Sequence, residues 1–108
     1  MTKYSSSKVF FKEKIYDFGE IKNFEVVNHL FEYKNIGIED LKILKIRPSC
    51  GCIKVNHKNK IIKPNESGNI IINFTPVDYG YFNKGIEIKT NSKHTLIIYI
   101  SIKGFVIK

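Results

Sequence analysis

Apolar residues recur at every second position through most of this chain, and almost nowhere at the three-and-four spacing of a helix. From Phe24 to Asn35 the alternation is clean. Val27, His29, Phe31 and Tyr33 share one face, and Val26, Asn28, Leu30 and Glu32 share the other. A period of two marks a strand with one face buried, so Val27, Phe31 and Tyr33 are expected inward. Asn35-Ile36-Gly37 then makes a turn, with Gly37 suited to positive φ. Leu41 and Ile43, with Ile46 a further candidate, form the inward side of the next strand. It runs into Arg47-Pro48, and because Pro48 has no N–H for a ladder, it ends the strand or lies at an edge.

Shorter pieces fill the remainder. Val9-Phe10-Phe11 and Ile15 to Gly19 read as two brief strands, Ile53 to Val55 as another, and Ile61-Ile62 as an edge strand. Lys63 to Gly68 carries dense turn chemistry. Asn69 to Thr75 points Ile70, Ile72 and Phe74 inward, and Pro76 to Tyr81 turns around Gly80. Phe82 to Thr90 alternates through Phe82, Ile86 and Ile88. Asn91-Ser92-Lys93 reads as a polar hairpin loop. His94 to Val106 closes the chain with Leu96, Ile98, Ile100 and Ile102 on one side. Many short strands at near-regular spacing predict an all-β fold, an immunoglobulin-like antiparallel β-sandwich of about seven to nine strands. The domain is expected to span residues 9–108 after a flexible segment of residues 1–8. The buried Trp and widely spaced cysteine pair of antibody domains are absent.

Composition narrows the function classes. The chain has 108 residues and a net charge of +8, with one arginine among its eighteen basic residues. Arginine is the favoured reader of phosphates and bases, and the lysines look scattered along the chain, so no nucleic-acid partner is expected. No stretch approaches the roughly 18 apolar residues of a membrane span, so no integral membrane segment is expected. The first eight residues lack an apolar signal region, which places the protein in the cytoplasm unless an export signal precedes them.

Candidate chemistry collects in Arg47-Pro48-Ser49-Cys50-Gly51-Cys52, which holds both cysteines and the arginine. Three readings are open. Cys50 and Cys52 are small buried hydrophobes at a corner. Alternatively they form a strained, reducible disulfide, with Lys45, Arg47 and Lys54 favouring thiolate. Or they bind copper or zinc together with His57, although Cys-x-Cys departs from usual zinc spacing. The carboxylates are spread along edges and turns, with no acid pair, phosphate loop or nucleophile elbow. No enzyme and no cofactor is expected.

Several stretches together resemble a known family. These are Ile15-Tyr-Asp-Phe-Gly-Glu-Ile21, Phe31-Glu-Tyr-Lys-Asn-Ile-Gly37, Ser49-Cys-Gly-Cys52, Lys63-Pro-Asn-Glu-Ser-Gly68, Phe82-Asn-Lys-Gly85, Thr90-Asn91 and Ile102-Lys-Gly-Phe-Val106. They resemble the bacterial domain-of-unknown-function family fifteen seventy-three, from about Phe10 onward, with Ile53 where that family's motif commonly continues with threonine. The resemblance implies an immunoglobulin-like sandwich similar to the domains of major sperm protein, cilia-associated proteins and pilus chaperones. Those relatives are mostly binding or scaffolding modules. It also implies an exported or lipid-anchored protein of the periplasm or cell envelope, although this sequence carries neither signal nor lipobox cysteine. The expected function is therefore a protein-interaction module whose partner is another protein. Strand addition at the edges Val9–Phe11 and Ile61–Ile62 is the expected mode. The alternative is a thiol-based redox or copper/zinc-binding protein using Cys50, Cys52 and His57.

Overall fold

In a computed structural model, which describes residues 4–58 and 61–108, the regular elements among the described residues are all strands. Its elements are β1 (Val9–Phe11), β2 (Ile15–Lys22), β3 (Val27–Asn35), β4 (Leu41–Pro48), β5 (Ile53–Asn56), β6 (Ile61–Ile62), β7 (Ser67–Phe74), β8 (Gly80–Thr90) and β9 (Ile97–Ile107). They form two sheets, ordered β1-β3-β7-β5 and β2-β9-β8-β4-β6. This is the immunoglobulin-like sandwich expected from the alternation. The pairs are antiparallel with one exception: β2 runs parallel to β9. Its register slips between Asp17 and Glu20, where Gly19 has φ +70° and donates its N–H to Asp17 Oδ1 at 2.8 Å. A bulge of this kind twists an edge and discourages further pairing there.

The core lies where the alternation places it. Phe31, Ile70, Ile72, Ile86, Ile88, Ile100 and Ile102 are at or within 1% of full burial. Each contributes about 2 kcal/mol by leaving water. Ile46 follows Ile43 at three residues rather than two because the β4–β8 register shifts between Ile43 and Lys45. Leu96 departs from expectation. It is 42% exposed and precedes β9, which starts at Ile97 and turns Ile98, Ile100, Ile102 and Val106 inward.

The body measures 48 × 25 × 20 Å, so its two ends are well separated. One end is a knot of buried polar side chains. Asn35 is fully buried, and its Nδ2 donates to the carbonyls of Glu39 (2.7 Å) and Ile62 (2.9 Å). Its Oδ1 accepts from the N–H groups of Lys8 (3.2 Å) and Gly37 (3.0 Å). Buried amides persist when all their hydrogen-bonding capacity is met in this way. Asn91 and Ser92, expected in an open hairpin loop, are buried here instead. Asn91 Oδ1 accepts from Lys42 N–H at 2.7 Å, and Ser92 Oγ donates to the Ser7 carbonyl at 2.6 Å. Of the leading residues expected to be flexible up to Lys8, Ser5 to Lys8 run along this end. The Ser5 N–H donates to Asn91 O (2.8 Å), the Ile38 N–H to Ser6 O (3.0 Å) and the Ile36 N–H to Lys8 O (2.7 Å). Gly37 does not adopt positive φ. It is glycine because a Cβ would stand 2.5 Å from Ser6 O and Lys8 N in the crossing segment.

Candidate functional site: the cysteine bend and the basic edge

At the opposite end, Ser49 to Cys52 carries the chain from β4 in one sheet to β5 in the other. Backbone bonds fix the crossing. Ser49 N–H donates to Gly85 O (2.9 Å), Ile53 N–H to Cys50 O (3.2 Å) and Thr75 N–H to Cys52 O (3.0 Å). Cys50 and Cys52 are paired as a disulfide across Gly51, with Cα atoms 5.3 Å apart, and both pack half-buried against the core. Gly51 has no positive φ, and a Cβ there would meet nothing within 4 Å. The bend therefore does not depend on glycine's conformational freedom. Cys52 also lines a cavity of about 200 Å³ with Phe74, Pro76, Tyr79 and Phe82.

His57 does not join the cysteines. It follows the far end of β5, five residues from Cys52, which is roughly 16 Å of extended chain. There its Nε2 meets the Tyr33 hydroxyl at 2.6 Å. Tyr33 fits because its cross-strand partner is Gly68, where a Cβ would lie 2.5 Å from the phenol ring. Burial pushes the Tyr33 hydroxyl pKa up to about 12. Among the described residues, no three His, Cys, Asp or Glu side chains gather in a way that could hold a metal. His29, on β3, is partly buried, stacked on Tyr16 at 3.6 Å between ring centres and in contact with the Glu13 carboxylate.

Two further concave surfaces stand out on the domain. A shallow cleft of about 770 Å³ opens at the β2 bulge, where Asp17, Glu20 and Lys103 face Tyr81 and Phe105. Three of the family-like stretches meet there, and Gly104 admits the Gly19 carbonyl, which a Cβ would approach to 2.8 Å. The second is a groove of about 250 Å³ between the edges of β4 and β5, lined by Ile43, Leu44, Lys45, Ile46, Val55 and His57.

The charge around that groove is concentrated rather than scattered. Residues 41–65 contain seven of the eighteen basic residues and none of the ten acidic ones, so this segment carries nearly all of the +8. The signal was available in the sequence as an acid-free run between Asp40 and Glu66. Within the run Lys42, Lys45, Arg47, Lys54 and Lys58 are all exposed.

A family model described as "Protein of unknown function (DUF1573)" matches residues 9–106. The chain belongs to that family. No curated protein matches it. Among solved structures, a protein of unknown function from Porphyromonas gingivalis W83 superposes with a TM-score of 0.83 at 17% identity, over 97% of this chain and 49% of its own. The chain thus spans about half of that protein. A PapD-like domain of human CEP192 gives 0.76 at 17% identity, over 100% of this chain and 91% of its own. The Vibrio cholerae VesB protease gives 0.75 at 12%, over 93% of this chain and 32% of its own. At these identities the likeness is one of fold alone, the PapD-like sandwich.

Proposed function

We propose that residues 9–108 form one immunoglobulin-like domain that serves as a binding or scaffolding module of the bacterial cell envelope, with another protein chain as its partner. The observation that carries this reading is the set of apolar side chains on the loops at the cysteine end. Phe24 (70% exposed) and Val26 stand on the β2–β3 loop, Val77 and Tyr79 on the β7–β8 loop, and Tyr81 (89% exposed) beside them. The Phe24 N–H donates to Pro76 O at 2.9 Å, which holds the two loops together. Phe24 has φ +64°, an uncommon conformation for a bulky residue. Exposed apolar surface gathered on neighbouring loops is characteristic of interaction sites. Hydrogen exchange of the labelled protein, alone and in lysate of its native cells, tests this. Protection of Phe24, Tyr79 or a strand edge in lysate is the expected result, and identical exchange throughout would contradict it.

A second reading is favoured by the pairing of Cys50 with Cys52: a two-electron couple that an external dithiol reduces while itself becoming the disulfide. Equilibration with dithiothreitol reads it out. A potential between about −270 and −120 mV, the range of exchanging disulfides, supports the reading. Cysteines that never cycle between thiol and disulfide argue for a purely structural corner.

A further inference from the structure

The open edge of β4 combines unpaired backbone with one-signed charge. On one side β4 pairs with β8 from Ile43 to Pro48, and on the other β6 covers Leu41 and Lys42 only. Among the described residues, nothing pairs with the outer side of β4 beyond Lys42. The direction of its backbone groups follows from alternation. Ser49 N–H bonds Gly85 O, so Arg47 and Lys45 also turn their groups toward β8, and Ile46 presents its N–H and C=O outward. The same argument applies to β5. Thr75 N–H bonds Cys52 O, so Lys54 faces β7 and Val55 presents its groups outward. Ile46 and Val55 also line the groove between the strands, together with Ile43 and Leu44.

The rims of this groove are basic. Lys45 and Arg47 stand exposed along one strand and Lys54 along the other, within the acid-free run of residues 41–65. On β8, Glu87 stands in register with Arg47 and accepts a hydrogen bond from the Tyr99 hydroxyl at 3.2 Å. An edge without a blocking strand is a template for an added one, and lysines and arginine on both rims select the charge of the chain that adds.

We infer that the β4–β5 edge receives an extended, acidic segment of another protein, which adds as a strand beside Ile46 in line with β6. This rests on the reading of the domain as a protein-binding module. Backbone pairing at Ile46 supplies geometry, the apolar lining accepts alternate side chains, and the basic rims favour carboxylates on the others. Pro48 contributes only a carbonyl, which limits the pairing to a short segment.

The test uses the full chain and three probes: an alternating Val–Glu peptide, an alternating Val–Lys peptide and oligothymidine. Binding is read by fluorescence anisotropy, and its location by amide exchange in the isotope-labelled protein. The Val–Glu peptide is expected to bind at least about tenfold tighter than Val–Lys, more weakly as salt rises, and to protect the Ile46 amide. Replacing Lys45, Arg47 and Lys54 together by Gln is expected to weaken it about tenfold while leaving the unfolding midpoint in place. Equal binding of the two peptides, or protection away from Ile46, overturns the inference. So does oligothymidine binding more tightly than the acidic peptide, which would assign the edge to nucleic acid. If the edge fails while lysate still protects the Phe24 and Tyr79 loops, the binding-module reading stands without it. If both fail, both readings fall.

Discussion

The two ends of the sandwich are built from opposite materials. At the Asn35 end, polar side chains are buried and matched donor to acceptor, and the leading segment is tied to two loops at once. At the cysteine end, apolar side chains stand in solvent, cavities open between the loops, and Asn23 Oδ1 is a buried oxygen without a hydrogen-bond partner among the described residues. The same two sheets supply both ends, so the difference is in the loops. A closed polar network fixes one arrangement, because each member left unpaired would cost the desolvation of a buried group. Apart from the Asn23 oxygen, the open apolar end has no such network to satisfy and stays free to meet something else. Stability rests on the first end, and under the proposed reading recognition falls to the second, with the basic β4–β5 edge on the flank between them.

The contrast is most easily broken at Asn35. Replacing it with Ala leaves Lys8 N–H, Gly37 N–H and two carbonyls unmatched, and is expected to cost about 3 kcal/mol or more in urea unfolding. A loss below about 1 kcal/mol would mean the network is dispensable. Next in size is Gly37→Ala. Its Cβ collides with backbone rather than a movable side chain, so the Ser5–Lys8 segment must lift, at about 2 kcal/mol. Protease cutting within those residues should accelerate.

Alkaline titration probes the same region through Tyr33. Its pKa of about 12 in the fold exceeds the ordinary value of 10.0, so the folded state holds the proton more tightly than the unfolded chain. This contribution is complete below about pH 10 and is lost as pH rises toward 12. Tyr33→Phe should flatten that part of the stability curve. The smallest effect is expected at the other end. Gly51→Ala meets no atom and no left-handed backbone, so stability should change by less than about 0.5 kcal/mol.

Much of the sandwich was legible because a half-buried strand writes its inward face at every second residue. Phe31 and Tyr33, Ile70 to Phe74, and Ile98 to Ile102 were all readable in this way. The failures have physical causes. Asn91 and Ser92 look like loop residues because nothing local tells a solvated amide from one buried against a segment 85 positions away. Gly37 looks like a turn glycine, but the demand on it is room for a crossing backbone. The parallel course of β2 along β9 joins the two ends of the chain, and alternation says nothing about which strand is a neighbour. At the candidate site, the cysteine bend was visible as a cluster of rare residues, but His57 is carried away by the extended β5. The basic edge is legible too, as a run without acids, because the missing counter-charges and not the spacing of the lysines mark it.

Residue-resolved amide hydrogen exchange of the free protein tests the division between the ends most directly. The amides of Lys8, Gly37, Lys42 and Ser92 are expected to open only with global unfolding, while those of Gly51, Val77 and Tyr79 exchange at least about a hundredfold faster through local opening. Equal protection at both ends, or a rapidly exchanging Asn35 network, would contradict it.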